Sequence, residues 1–112
     1  MKINSMNEGN KILYTVTGTT ITIGIDQPVT IDLATREKDF SVTIDISRDD
    51  SGNLVEGLAK YYDANIIIPG RQYKNVKVPS NEINGTPIEV TQRQPVPLNM
   101  NRVILQLWAL PG

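Results

Sequence analysis

The stretch RVILQLWAL, residues 102–110, is the most apolar run of the sequence and contains its only tryptophan. Successive side chains of an extended strand point to opposite faces. One face of this stretch collects Val103, Leu105, Leu107 and Ala109. The other face holds Ile104, Trp108 and Leu110, beside Arg102 and Gln106. Because both faces are largely apolar, the pattern predicts a central strand with Trp108 as the largest side chain of the core.

Length and composition narrow the functional classes. A chain of 112 residues is the size of one domain, and it can bury a core without disulfides or metals. It has no cysteine, which excludes a disulfide framework, and no histidine, which removes the commonest general base and the usual zinc ligand. We therefore expect a protein that is not an enzyme, with no catalytic residue, no cofactor and no metal site.

The charge is nearly balanced overall but uneven along the chain. Eleven basic and twelve acidic residues give a net charge of −1, which provides no global attraction for nucleic acid. Residues 1–56 carry five basic and nine acidic groups, whereas residues 57–112 carry six and three. If the two halves occupy different surfaces, the molecule is bipolar.

The N-terminal segment lacks a structural pattern. Residues 1–10, MKINSMNEGN, are polar, so we expect a flexible tail followed by a single domain over residues 11–112. They also lack the apolar centre of a signal peptide, and no apolar run approaches the length of a spanning helix. These features predict a protein without membrane insertion, either cytoplasmic or part of a soluble assembly.

A β-hairpin is predicted around Gly18-Thr19. Glycine at the first of two turn positions suits a type II′ turn, which needs a positive φ there. Pairing Thr17 with Thr20 sets Val16 opposite Ile21 and Tyr14 opposite Ile23. The turn chemistry and the apolar pattern thus agree on one register for this hairpin. Residues 29–33, VTIDL, are predicted to add a third strand to the same meander.

Further alternating segments predict about seven to nine short strands and no long helix. They cover residues 40–47, with Phe40 facing in and Ser47 out, and residues 60–68, 72–78 and 87–91. Residues 54–59 fit either a strand or a helix. We expect residues 79–87 to form a long polar loop rather than a tight hairpin at Asn84-Gly85, and residues 94–97 to be an extended linker.

These elements indicate an all-β, single-domain antiparallel β-sandwich or squat barrel. The pattern resembles in outline the immunoglobulin-like and jelly-roll modules, a likeness of shape alone. Fold does not determine function, so the functional expectation has to come from side chains.

Residues 48–53, RDDSGN, form the strongest turn signal. Counted from Asp45, oxygen-bearing side chains fall at the spacing of a helix-loop-helix calcium loop. However, Asp50 replaces the glycine that the sharp bend needs, and Arg48 places a cation inside the loop. We therefore expect a polar hairpin turn without metal.

The remaining candidates concern binding. Arg71, Lys74 and Lys77 form a basic stripe beside Tyr73, and we take these four residues and Tyr61 as candidate partner or ligand contacts. With no catalytic inventory, we expect a structural or accessory subunit that self-associates or docks on a larger protein assembly. The alternative is a carbohydrate-binding module that uses exposed tyrosines. Nucleic-acid binding through the basic stripe is not expected, because net charge and aromatic content are both low.

Overall fold

A computed structural model describes residues 1–79, 85–86 and 88–110, and over these ranges the chain is almost entirely β. The strands are β1 Lys2–Ser5, β2 Tyr14–Thr17, β3 Thr20–Ile23, β4 Val29–Asp32, β5 Val42–Arg48, β6 Leu54–Glu56, β7 Tyr61–Ile68, β8 Tyr73–Pro79, β9 Glu89–Pro95 and β10 Ile104–Leu107. The helices described are two three-residue 3-10 turns, Leu33–Thr35 and Met100–Arg102. The expected all-β class without a long helix is confirmed for these residues.

The strands form three sheets. A five-stranded sheet has the order β1-β10-β7-β5-β6, a three-stranded sheet the order β2-β3-β4, and β8 pairs with β9 in a sheet of their own. None of these sheets, over the described ranges, closes into a barrel. Strand β10 lies between β1 and β7, so the expectation that residues 102–110 contribute an interior strand is confirmed for the shorter stretch Ile104–Leu107.

The predicted hairpin is present in the predicted register. Thr17 pairs with Thr20, Val16 with Ile21 and Tyr14 with Ile23. Gly18 has a φ of 60°, as the first turn position requires. Strand β4 continues the meander by antiparallel pairing with β3. Turn chemistry and alternation were therefore sufficient to place this sheet.

The core is shared by the five-stranded and three-stranded sheets. The buried apolar side chains of both sheets, and of the segments beside them, belong to one cluster: Ile12, Ile21, Ile23, Ile31, Leu33, Ile44, Ile46, Ala64, Ile66, Ile68, Val103, Leu105 and Leu107. On β7 the core-facing residues alternate as Ala64, Ile66 and Ile68, and Ile66 pairs with both Leu105 and Ile44. Burial of these two apolar faces is the main contribution to folding.

Trp108 does not lie in this core, so the expectation for the largest side chain was wrong. Trp108 is half-buried, and its Nε1 donates to Asn65 Oδ1 at 2.5 Å. Asn65 in turn donates to Asp45 Oδ1 at 2.8 Å. The indole needs a partner for its N–H, and the polar outer face of the five-stranded sheet supplies it.

The expected burial of two side chains in the predicted strand over residues 40–47 was also wrong. Phe40 is 65% exposed because β5 begins only at Val42. Ser47, expected on the outside, is fully buried. The register shifts after Ile46: Ala64 pairs with Ile46 but Tyr62 pairs with Ser47, which makes Asp63 the extra residue of a β-bulge. The bulge lies on β7, so it changes which residues stand opposite Ser47 while consecutive residues of β5 remain paired.

The N-terminal segment contains a strand that the sequence did not indicate. Lys2–Ser5 pairs in parallel with β10, from Lys2 with Ile104 to Ser5 with Leu107. All four residues of this strand are exposed, so backbone hydrogen bonds rather than apolar burial hold it in place. Alternation of side chains could not reveal a strand of this kind.

Two further segments are resolved by the pairing. Leu54–Glu56 is a strand, antiparallel to β5, which settles the choice between strand and helix for those residues. Gln94 and Pro95 belong to β9, where Pro95 pairs with Tyr73, so the expected linker over residues 94–97 was wrong at its start. Proline is tolerated there because β9 is an edge strand.

Asn84 and most of the expected loop over residues 79–87 lie outside the described residues.

In the part of the chain that the structure describes, no helix has the length and apolar character needed to cross a membrane.

The position of the core predicts the effect of truncating one of its buried isoleucines. Replacing Ile66, which is fully buried, by alanine is expected to lower the free energy of unfolding by about 2–5 kcal/mol, because it removes transfer energy and leaves a cavity. Chemical denaturation measures this change. The control is Leu58→Ala, at a residue 77% exposed, which is expected to change stability by no more than about 0.5 kcal/mol. Equal effects of the two substitutions would contradict this placement of the core.

Candidate functional site

Strands β8 and β9 form a projecting two-stranded ribbon, here called the arm. They pair over their full length, and none of their fourteen residues is buried. Among the described strands, β8 packs mainly against β9, and β9 mainly against β8. The molecule is consequently elongated, with extents of 74 × 23 × 22 Å. Its radius of gyration is 19.9 Å, against about 13 Å for a compact domain of this length.

The two faces of the arm differ in chemistry. Val78 pairs with Val90 and Val76 with Gln92, which places three valines on one face. Val90 is 44% exposed, and Val76 and Val78 are half-buried. The opposite face carries only polar, charged and proline side chains together with Tyr73. The arm therefore exposes an apolar strip to solvent along one side.

The arm is also basic. Its strands carry Lys74, Lys77 and Arg93, all exposed, and a single acidic residue, Glu89. Because side chains alternate along β8, Lys74 lies on the valine face and Lys77 on the other. The two lysines of the predicted stripe are thus brought into one element but not onto one face. Much of the positive charge of the second half of the chain is concentrated here.

Arg71 fastens the arm to the rest of the molecule. Its backbone N–H donates to the Lys38 carbonyl at 2.7 Å, and its Nη2 donates to the Glu37 carbonyl at 2.9 Å. Its Nη1 lies 3.3 Å from Asp39 Oδ1, and its Nε lies 3.5 Å from Glu37 Oε1. A planar group with five donors is suited to hold several acceptors in fixed directions. Arg71 thus links the start of the arm to the segment before β5.

Tyr73 completes this attachment, here called the base of the arm. Its hydroxyl donates to Asp39 Oδ1, and the guanidinium carbon of Arg93 lies 3.8 Å from its ring centroid, a cation–π contact. The Tyr73 hydroxyl raises the pKa of Arg71 above its ordinary value, and the carboxylates of Asp39 and Glu37 add to the rise. With its hydroxyl and one ring face engaged, Tyr73 is part of the arm's base rather than a free platform.

Tyr61 lies elsewhere, at the start of β7 in the five-stranded sheet. It is 46% exposed, pairs with Arg48 across the ladder, and has Lys60 Nζ 5.4 Å from its ring centroid. The five residues chosen from the sequence therefore fall into two places: four in or beside the arm, and Tyr61 on a different sheet. Arg93 and Asp39 were missed, because they lie far from Tyr73 in sequence and only the β8–β9 pairing and the base bring them together.

The turn between β5 and β6 has the structure of a polar hairpin turn, as expected. Asp49 Oδ1 accepts from the backbone N–H of Ser51 and of Asn53, each at 2.9 Å, and Gly52 adopts a φ of 81°. Arg48 donates to the Gly52 carbonyl at 3.1 Å. Within the described ranges, no three acidic side chains are grouped so that they could hold a metal ion.

Comparisons with protein-family models, with curated proteins and with solved structures found no match to this chain. The outline likeness to immunoglobulin-like and jelly-roll modules therefore stays a hypothesis.

From the contacts at the base of the arm, we expect Arg71 to control the orientation of the arm. Arg71→Ala removes the side-chain contacts to Asp39 and Glu37, so the arm is expected to move independently of the two larger sheets. Backbone ¹⁵N relaxation is expected to show lower order parameters for residues 73–79 and 89–95 and unchanged values for β5, β7 and β10. The control is Lys60→Ala, which removes an ion pair with Asp50 at 3.7 Å, between two residues outside the arm and outside the segment that Arg71 contacts. Unchanged arm relaxation in Arg71→Ala would show that the base does not hold the arm.

Proposed function

We propose that this protein is a non-catalytic structural subunit that assembles with further copies of itself through the arm. The observation that supports this is the arm itself, an exposed ribbon that packs on no other strand of its own chain to a comparable extent. We further propose that the five- and three-stranded sheets pack as the two layers of a β-sandwich, which serves as the scaffold for the arm.

The stability of the arm favours a partner. An isolated two-stranded hairpin is marginally stable in water, since it buries little apolar area. The arm adds to this an exposed strip of Val76, Val78 and Val90, which gains free energy when covered. Its base, by contrast, is fixed by Arg71 and Tyr73. A ribbon held at one end and uncovered along its length is suited to insert into, or lie against, another molecule.

Charge complementarity favours a second copy as that molecule. The strands of the arm carry three basic residues and one acidic residue. Residues 1–70 and 96–112, which form the part of the chain outside the arm and its connections, carry seven basic and ten acidic residues. Exposed carboxylates on that part include Asp26 and Asp50. The arm of one copy and the remainder of another therefore attract each other, and this attraction weakens as salt increases.

The charge of the arm provides the first test. The double variant Lys74→Glu/Lys77→Glu is expected to weaken self-association at least about tenfold, because like charges brought together at an interface cost several kcal/mol. Sedimentation velocity over a concentration series at low and high salt measures this. The unmodified protein is expected to form oligomers at low salt and to dissociate partly at high salt.

The matched control is Lys2→Glu/Arg102→Glu, which makes the same change in net charge at two exposed residues outside the arm. It is expected to associate at least as strongly as the unmodified protein, because the arm is unchanged and the surface that attracts it becomes more acidic. A protein that is monomeric at all salt and protein concentrations would contradict the proposal, and so would an equal loss in both double variants.

A second candidate function, carbohydrate binding, is favoured by one observation on the outer face of the five-stranded sheet. Tyr62 is 40% exposed and its ring centroid lies 6.2 Å from that of Trp108, with 33° between the planes. The hydrogen bond to Asn65 fixes the indole orientation. Two neighbouring, partly exposed aromatic rings, with the Asp45 carboxylate linked to the indole through Asn65, offer a stacking surface with a polar acceptor.

This candidate can be tested through Trp108, because it is the only tryptophan of the sequence. If the face binds carbohydrate, a soluble oligosaccharide library is expected to include ligands that change its fluorescence in a saturable manner. The change is expected to be lost in Tyr62→Ala and retained in Tyr73→Phe, which alters a tyrosine in the arm. Absence of a saturable change with every oligosaccharide would remove this candidate without affecting the assembly proposal.

A further inference from the structure

A row of polar side chains, here called the polar row, crosses the outer face of the five-stranded sheet. Asn4 of β1 pairs with Gln106 of β10, and Gln106 pairs with Asn65 of β7. Asn65 also pairs with Asp45 of β5, so the four side chains lie next to one another on one face. Because neighbouring strands are about 4.8 Å apart, the polar row is about 14 Å long, which exceeds the width of a single sugar ring.

Three members of the polar row keep hydrogen-bonding groups that can bind a ligand. Asn65 is 7% exposed, and its amide accepts from Trp108 and donates to Asp45 Oδ1, which leaves Asp45 Oδ2 available. No side-chain hydrogen bond joins Asn4 or Gln106 to another described residue, and neither side chain is buried. A side-chain amide both donates and accepts, as a sugar hydroxyl does.

Apolar groups border the polar row on both sides. Tyr62 and Trp108 lie along one side, with their ring centroids 6.2 Å apart. Along the other side, Ile104 pairs with Ile67, and both are half-buried. A sugar ring has apolar C–H faces and polar hydroxyl edges, so a surface that alternates between aromatic, polar and aliphatic groups matches it.

The charge of the polar row favours a neutral ligand. Asp45 is its charged member, and an acidic sugar chain would bring a like charge to this carboxylate. Lys2 lies on the same face but on β1, at the opposite end of the polar row from Asp45. The members between these ends are uncharged amides, which bind hydroxyl groups rather than ions.

We infer that the polar row binds a linear, neutral oligosaccharide that crosses the strands from β5 to β1, with one end stacked on Tyr62 and Trp108. This deepens the second candidate function, carbohydrate binding, on which it rests. The bound stretch is roughly three sugar units long, as the strand spacing requires. The site lies on the five-stranded sheet, so it is separate from the arm.

A length series is the first test. Neutral linear oligosaccharides of one to six units, in glucose, mannose and xylose series, are titrated against the fluorescence of Trp108. In at least one series, affinity is expected to rise at least about tenfold from one to three units and then level off, since each added unit reaches further members of the polar row. Oligogalacturonates of the same lengths are expected to bind at least about tenfold more weakly.

The end of the polar row away from the aromatic pair provides the second test. Asn4→Ala removes an exposed amide there, and it is expected to weaken binding of the three-unit oligosaccharide about threefold and leave one-unit binding unchanged. The matched control Asn75→Ala, at an exposed asparagine of the arm, is expected to change neither affinity. Gln106→Ala is expected to behave like Asn4→Ala, with Gln92→Ala of the arm as its control.

Asp45→Asn keeps an acceptor for Asn65 and removes the charge. It is expected to retain binding of the neutral oligosaccharide and to bind oligogalacturonates more tightly than the unmodified protein does. Saturable binding of tetramethylammonium that Asp45→Asn abolishes, without binding of any oligosaccharide, would identify a cation site and overturn the inference.

Two further outcomes separate this inference from the function on which it rests. Equal affinity for one and three units, or equal losses for both in Asn4→Ala, would show that the ligand does not follow the polar row, and carbohydrate binding itself would stand. Absence of saturable binding in every series would remove both, and assembly through the arm would be unaffected.

Discussion

The structure depends on the burial of two isoleucine-rich faces in one core. Ile21 and Ile23 of the three-stranded sheet and Ile44, Ile46 and Ile66 of the five-stranded sheet belong to the same buried cluster. No disulfide is possible in this chain, so apolar burial and the backbone ladders have to offset the conformational entropy of folding. The rest of the molecule is attached to this core in different ways: β1 by backbone pairing, and the arm by the contacts of Arg71 and Tyr73.

Because the core and the arm are separate, one small chain combines a buried core with a ribbon that has no buried residue. The arm contributes no residue to the buried cluster, so it can be altered without loss of the core. Its orientation nevertheless remains defined, because Arg71 and Tyr73 share Asp39 as an acceptor. A rigidly directed ribbon loses less entropy on binding than a loose one, which is consistent with the association between copies that we propose.

The sequence predicted those features in which two independent signals agree. Gly18-Thr19 and the alternation on both sides of it required the same register, and the hairpin has that register. Where only one signal was present, errors followed. Alternation showed that residues 102–110 have two apolar faces but could not show which of them meets the core, and Trp108 lies on the outer one. Ser47 is buried beside the bulge at Asp63, and no local mark in the sequence indicated either feature. For the arm, Val76 and Val78 alternate as in any half-covered strand, so the pattern could not reveal that the described chain leaves this face uncovered.

The parallel pairing of β1 with β10 has a consequence for the time course of folding. Lys2–Ser5 is synthesised well before its partner Ile104–Leu107, because the two strands are far apart in the sequence. The five-stranded sheet cannot be completed until Ile104–Leu107 has been made, and pairing segments so distant in sequence is slow because the loop between them has to close. Until then, β7 exposes the edge that β10 later occupies, a period in which nascent chains are open to aggregation and to chaperone binding.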